Sequence, residues 1–183
     1  PVLAWGELHS RLLQVLIAVA VLGAMSLTAL AQTPDQNEAT RKATADRLVM
    51  GEKACSGCDL FQVDLSYQEL PGLDISGARL RQADLSLSTF DKSKFAGANM
   101  SIVNAFGLRA ENADFTKVDL ADATLVGGWF AGSDFTGAKL DNANLSGSDF
   151  ETAKGLTQTQ LNTACGDAST KLPKGLKLQA CKG

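Results

Sequence analysis

A large apolar residue recurs at every fifth position from Leu60 to Phe150. Of the 19 positions in this series, 17 carry Leu, Ile, Met or Phe. A usually small residue stands two positions before each, as at Ala78 and Ala98, and the position between them is mostly Asp, Asn or another polar group. A period of five fits neither the 3.6-residue repeat of a helix nor the strict alternation of a strand. Repetition at a fixed period is typical of a solenoid, in which each unit stacks on its neighbour.

Each five-residue unit is interpreted as a three-residue extended piece followed by a two-residue corner. Alternation in the extended piece directs the small and the large residue inward and the polar residue outward. The second corner residue is often glycine, which tolerates backbone angles that a side chain disfavours. These corner glycines are Gly72, Gly77, Gly97, Gly107, Gly127, Gly132, Gly137 and Gly147.

The phenylalanines predict the number of sides in one coil. When the core positions are sorted into four columns of residues 20 apart, two columns contain no phenylalanine. The other two columns contain all six core phenylalanines, namely Phe90, Phe95, Phe115, Phe130, Phe135 and Phe150. We therefore expect residues 20 apart to stack, with four sides to a coil.

Several units resemble the A-(D/N)-(L/F)-x-x unit of pentapeptide repeat proteins, among them Ala83-Asp84-Leu85-Ser86 and Ala113-Asp114-Phe115-Thr116. The resemblance covers residues 58–152 and implies an all-β solenoid. In that family the solenoid is a right-handed quadrilateral β-helix, which here would have nearly five coils of 20 residues and short helical caps at both ends. The resemblance also implies a protein without enzymatic activity. The chain departs from the pattern at Ala105 and Ala110, where the preceding inward residues, Val103 and Leu108, are larger and keep the core volume similar.

The first 57 residues are predicted to form a leader, a linker and a cap. The apolar run from Leu12 to Ala31 follows Arg11 and ends in Ala29-Leu30-Ala31, which predicts an export signal over residues 1–31. An uncleaved membrane anchor is the alternative, since the run is about long enough to span a bilayer. Residues 32–57 are predicted to contain a linker and a helix that covers the open end of the first coil, with a docking helix as the alternative.

Four cysteines lie at the two ends of the repeat. Cys55 and Cys58 form a CxxC motif, which occurs in redox centres, zinc sites and local disulfides. Zinc is disfavoured because His9 is the only histidine and lies in the leader. Nearly five coils at strand spacing measure about 23 Å, too far for a disulfide between the ends. The favoured pairs are therefore Cys55–Cys58 and Cys165–Cys181, as structural staples of an exported protein.

The period is lost after Thr152, and residues 153–183 are predicted to form a C-terminal cap. Thr157 is the expected N-cap of a short helix. The segment from Leu156 to Pro173 is similar to the C-terminal cap of exported bacterial and thylakoid-lumen pentapeptide repeat proteins, which implies the periplasm or the thylakoid lumen as the location. The tail has a net charge of +4, against −7 for residues 58–152.

The sequence indicates no catalytic centre, cofactor or metal site. Beyond the leader there is no histidine, so Ser-His and Cys-His arrangements are absent. The glycines follow the corner rule and not the spacing of a phosphate-binding loop. Outward carboxylates 20 apart, such as Asp114 and Asp134, could bind calcium weakly, but a solvated surface is the favoured interpretation.

Two functions from different classes are consistent with the sequence. The first is an exported, non-catalytic interaction or scaffold module that binds another protein or a second copy. The second is a thiol redox or metal-binding protein acting through Cys55 and Cys58. The resemblance suggests a third, a DNA mimic that inhibits topoisomerases, which the leader and the mixed charge disfavour. No nucleic-acid partner is predicted, and a membrane is contacted only if the N-terminal segment is not cleaved.

Six apolar residues fall at outward or corner positions where a water-facing solenoid should be polar. All six are predicted to lie around one side and its two corners. A contiguous apolar patch usually marks a contact site. The alternative is that the N-terminal linker or cap covers it. We define the apolar patch as Tyr67, Leu87, Ile102, Phe106, Val126 and Trp129.

Overall fold

The computed structural model describes residues 36–182. Its helices are α1 (Gln36–Val49) and α2 (Gln158–Leu161), and its two-residue strands are β1 (Cys165–Gly166) and β2 (Gln179–Ala180), which pair in parallel. The predicted signal or anchor over residues 1–31, and the first residues of the predicted linker, lie outside the described residues.

Parallel β-bridges between residues 20 apart organise the region between the two helices. They run from Ala54–Asp74 to Asp134–Lys154 and occur at every fifth residue, so that four bridged positions make up each 20-residue turn. Each bridge is built from two hydrogen bonds. Thus Phe90 N donates to Arg109 O at 2.7 Å, and Arg109 N donates to Ser88 O at 2.9 Å. The 20-residue stacking predicted from the phenylalanines is confirmed.

The core is one continuous cluster of inward side chains from all four sides. All six core phenylalanines are fully buried, as are Leu60, Leu80 and the other large residues of the five-residue series up to Phe150. Val103 and Leu108 are also buried beside the small residues Ala105 and Ala110. The volume missing at the two alanines is thus supplied by the preceding inward position, as expected.

The outward Asp and Asn residues stabilise the corners, a role that the sequence interpretation missed. Asp84 Oδ1 accepts the backbone N–H of Ser86 at 2.8 Å, and Asn144 Oδ1 accepts that of Ser146 at 3.0 Å. Asp and Asn favour turns because their short side chains hydrogen-bond the backbone two residues on. Their preference at this position therefore has a local structural cause, beyond the solvation that the pattern suggested.

Segments at both ends pack onto the core. Leu48 of α1 is buried in the same cluster as the first coil. At the other end α2 begins after Thr157, whose side chain accepts the N–H of Gln160, which confirms the predicted N-cap. Gln160 Nε2 also donates to Phe135 O at 2.9 Å and to Ala138 O at 2.8 Å. These bonds satisfy carbonyls of the preceding coil.

Candidate interaction surface

One corner of the solenoid differs from the others in its side chains. We call it the apolar corner; its residues are Ser66, Tyr67, Ser86, Leu87, Phe106, Gly107, Val126, Gly127, Ser146 and Gly147. It has no charged residue, whereas the three other corners contain charged residues such as Arg81, Asp91 and Lys117. Charged side chains normally keep the exposed surface of a solenoid solvated. Because the apolar corner has none, it is a candidate contact surface.

Two sides meet at the apolar corner. The Asn104 side has the outward residues Asp64, Asp84, Asn104, Thr124 and Asn144, and the Trp129 side has Glu69, Thr89, Arg109, Trp129 and Asp149. The Asn104 side has no basic outward residue. Ion pairs stack along the other sides, for example Arg79–Asp59 at 3.0 Å and Lys94–Asp74 at 3.5 Å.

Three large apolar residues occupy the second corner position, where glycine is otherwise common. Tyr67, Leu87 and Ile102 have φ values of 59°, 55° and 58°. This left-handed conformation costs a residue with a side chain roughly 1–2 kcal/mol relative to the right-handed one. Seven polar residues, among them Gln82 and Lys92, have the same conformation at second corner positions, so the conformation belongs to the repeat and only the apolar side chains set these three residues apart.

The apolar patch is exposed over most of its length. The exposed fractions are 73% for Tyr67, 48% for Phe106 and 42% for Trp129, and Leu87 and Ile102 are exposed too. Val126 is only half-buried, less accessible than its position in the repeat suggested. Within residues 36–182 no segment covers the patch.

Along the apolar corner, a large side chain in one coil fills the space left by a glycine in the next coil. Leu87 Cδ2 lies 2.7 Å from where a Cβ on Gly107 would be, so the leucine fills the space above that glycine. In the next two coils the second corner residue is glycine, at Gly107 and Gly127. The large side chain there belongs to the first corner residue, Phe106 and Val126 respectively. The apolar surface is therefore continuous over four successive coils.

Arg109, a basic residue beside the patch, is held away from it. Arg109, bridged to Trp129, donates through Nε to Asp91 at 2.8 Å and through Nη2 to Glu111 at 2.7 Å. The hydrogen bond to Asp91 and the charge of that carboxylate raise the pKa of Arg109 above its usual value. Both carboxylates lie on the far corner of the Trp129 side, so the guanidinium is directed away from the apolar corner.

The four cysteines are joined in two local disulfides. Cys55 is bonded to Cys58, and Cys165 to Cys181, with Cα–Cα distances of 5.5 Å and 4.7 Å. Cys55 and Cys58 occupy the large and the small inward positions of adjacent sides, in line with Ile75 and Ala78 one coil later. This disulfide thus takes the place of a core pair in the terminal coil.

Metal clusters and membrane-spanning helices are absent from residues 36–182. Between residues 36 and 182, no three His, Cys, Asp or Glu side chains are grouped so as to hold a metal ion. Neither of the helices in that range has the length and apolar character that a bilayer span requires. A cavity of about 490 Å³ lies beside the contact between α1 and the first coil, lined by Arg41, Phe61, Asp64 and neighbouring residues of both signs of charge.

Comparison with known proteins identifies the repeat. The family model for pentapeptide repeats matches in eight copies, over residues 58–95, 69–104 and 113–151. The chain belongs to the pentapeptide repeat family. Known structures of pentapeptide repeat proteins are right-handed quadrilateral β-helices, and the family is generally non-enzymatic. No curated protein matches this pentapeptide repeat chain.

Several solved pentapeptide repeat proteins are similar in structure. A protein from the thylakoid lumen of Arabidopsis thaliana is 23% identical over 60% of this chain and 79% of its own, with a TM-score of 0.56. Rfr23 from the cyanobacterium Cyanothece 51142 is 19% identical over 71% and 98%, with a TM-score of 0.36. HetL, involved in heterocyst differentiation regulation in Nostoc sp. Strain PCC 7120, is 17% identical over 75% and 92%, with a TM-score of 0.34. The similarity to the plant protein shows a shared fold.

Proposed function

We propose that this chain is an exported, non-catalytic pentapeptide repeat protein that serves as an interaction or scaffold module. Its contact surface is the apolar patch. The observation that carries the proposal is the exposure of Tyr67, Leu87 and Ile102 at left-handed corner positions. Seven polar residues share this backbone conformation, so what distinguishes these three is that their exposed side chains are apolar. A gain in binding accounts for their presence.

The experiment compares two purified variants with the wild-type protein. Phe106→Ser/Trp129→Ser removes two exposed aromatic anchors, and Met50→Ser removes an exposed apolar residue at the end of α1. Affinity capture from the source organism is followed by quantitative mass spectrometry. We expect the double variant to lose binding partners that Met50→Ser retains, with unfolding midpoints close to wild type. If the double variant captures the same partners in the same amounts, the patch is not the contact surface.

The handedness of the solenoid, its number of coils and the bounds of its caps are also proposed. We place a right-handed, four-sided β-helix of nearly five coils at residues 58–152, a linker and helical cap at 32–57, and a second cap at 153–183. Bridges between residues 20 apart support this arrangement. Limited proteolysis of the purified protein should leave residues 58–152 as one resistant fragment.

Export is supported by the two disulfides, which persist in oxidising compartments. The thylakoid-lumen origin of the similar plant protein agrees with it. We propose the periplasm or the thylakoid lumen, with the leader removed; a membrane-anchored form facing the same side is the alternative. Cell fractionation combined with N-terminal sequencing distinguishes the cleaved form from the anchored one.

A thiol redox or metal-binding role through Cys55 and Cys58 is the second candidate. Both cysteines are only half-buried, so an oxidoreductase could reach their disulfide. Titration of free thiols in protein isolated from its native compartment tests this role. Complete oxidation under all growth conditions favours the structural role, and a reduced fraction that varies with conditions favours the redox role.

A further inference from the structure

We infer that the partner on this surface is a second copy of the chain, packed antiparallel through the Asn104 side and the apolar corner. The inference rests on the proposed interaction role and specifies its partner. A two-fold dimer uses the same surface of both subunits, so that surface must be complementary to itself. Both the apolar and the charged residues meet this requirement.

The apolar residues match each other under a two-fold axis. Tyr67, Leu87, Phe106 and Val126 lie on four successive coils along one corner. Consider a two-fold axis that is perpendicular to the solenoid and passes between the second and the third of these coils. It places the first coil of one subunit opposite the fourth coil of its partner, and the second coil opposite the third. Leu87 then faces the partner's Phe106, and Tyr67 faces the partner's Val126. Each exposed apolar group of the corner is covered by another.

The charges favour the antiparallel arrangement. With the Asn104 sides face to face, Asp84 lies opposite the partner's Asn104, and Asp64 lies opposite the partner's Thr124. An amide and a hydroxyl can donate hydrogen bonds to these carboxylates. No like charges meet between these residues.

A parallel two-fold arrangement of the same sides is unfavourable. It places each residue opposite its own copy, so Asp64 and Asp84 face identical carboxylates. Like charges directly opposed across an interface disfavour association. It also sets the apolar corner against the corner that carries Arg81, Asp122 and Asp141. The other corners all carry charged residues, such as Arg81, Asp91 and Lys117, so only the apolar corner offers an uncharged edge.

The test measures the oligomeric state of the full chain by sedimentation velocity from nanomolar to high micromolar concentration. We expect wild type to dimerise, and Tyr67→Gly/Leu87→Gly to dimerise roughly tenfold or more weakly. The matched control is Lys92→Gly/Asn112→Gly, which relaxes the same positive φ at polar residues of a corner that does not border the Asn104 side. It should dimerise like wild type. Both pairs relieve strain, but Leu87→Gly also removes the contact with Gly107, so the unfolding midpoint of each variant is measured to show that it is folded at the temperature of the experiment.

Cross-linking tests the orientation. Residues 67 and 126 lie three coils apart, about 14 Å, too far for a disulfide within one chain. Tyr67→Cys/Val126→Cys should therefore give a covalent dimer on oxidation, while either single variant should not.

Three results would overturn the inference: a wild-type monomer at every concentration, a glycine variant that dimerises normally, or a covalent dimer from Tyr67→Cys alone. If the wild type is monomeric but Phe106→Ser/Trp129→Ser still loses captured proteins, the dimer is wrong and the interaction role stands. If captured proteins are also unchanged, both proposals are wrong.

Discussion

Phe95 and Phe115 stack with ring centroids 4.8 Å apart and ring planes inclined by 4°. This distance equals the spacing of neighbouring strands, about 4.7–4.9 Å. The stacked rings in the core are therefore spaced by the same distance as the bridged backbone segments of successive coils. Phe115 stacks equally on Phe135, at 4.8 Å and 8°, and contacts Phe130 edge-on at 5.8 Å.

Phe115→Ala should destabilise the protein by about 3–5 kcal/mol, because it removes a fully buried ring and leaves a cavity between two stacked neighbours. The free energy of unfolding is measured by urea denaturation. Met50→Ala is the control, since that side chain is exposed, and its effect should stay within about 0.5 kcal/mol. Similar losses in the two variants would contradict the stacked core.

The repeat made the core predictable from sequence because each position is determined by its neighbours one coil away. A residue such as Phe115 needed only its five-residue register and the 20-residue step to be placed between Phe95 and Phe135. The disulfide pairs were predictable for a related reason, since the solenoid's length separates its ends. Periodic contacts leave a periodic pattern in the sequence.

Features outside the period were harder to predict. The turn-stabilising role of Asp84 depends on side-chain geometry that composition does not reveal, although the Asp and Asn preference was its signal. The exposure of Trp129 depends on how the flanking segments pack, which the repeat does not encode. The packing of Leu87 over Gly107 is a contact between coils. The register places the two residues one above the other, but the contact itself depends on the direction of the leucine side chain.

Gly155 and Gly72 separate two reasons for glycine at a position of positive φ. Both have positive φ, 71° and 70°, so alanine should cost about 1 kcal/mol or more at either. A Cβ on Gly155 would also lie 2.5 Å from Thr136 N and 2.7 Å from its Cα, whereas one on Gly72 meets nothing within 4 Å. We expect Gly155→Ala to lower the thermal midpoint clearly more than Gly72→Ala. Equal shifts would mean that the coil moves freely to admit the methyl group.

Acid should weaken the corners through Asp134. The hydroxyl and the backbone N–H of Thr136 donate to its carboxylate, at 2.6 Å and 2.8 Å, and lower its pKa below the ordinary 3.8. A carboxyl with a depressed folded pKa contributes stability above its unfolded pKa and loses it as pH falls through the folded value. The loss should therefore begin near pH 4 and continue below it.

Thr136→Val tests this assignment because it removes the hydroxyl donor and keeps the amide. The pKa of Asp134, followed by NMR of the carboxyl carbon, should rise toward 3.8, and the variant should lose less stability than wild type between neutral pH and pH 3. Thr116→Val, one coil earlier, is the control and should leave the pKa of Asp134 unchanged. A pKa of Asp134 that does not move in Thr136→Val would show that the hydroxyl bond is not its cause.

Loss of the Cys165–Cys181 disulfide should loosen the C-terminal cap before the coils. The bond closes a loop with a sequence separation of 16, against 3 for Cys55–Cys58. In the loop-entropy model these separations correspond to about 3 and about 1.6 kcal/mol. Cys165→Ser/Cys181→Ser should therefore speed hydrogen exchange in residues 156–180 much more than around the stacked phenylalanines. Cys55→Ser/Cys58→Ser should have a smaller effect, at the other end. Uniform acceleration along the chain in the first variant would mean that cap and coils unfold as one unit and that the disulfide stabilises the whole solenoid.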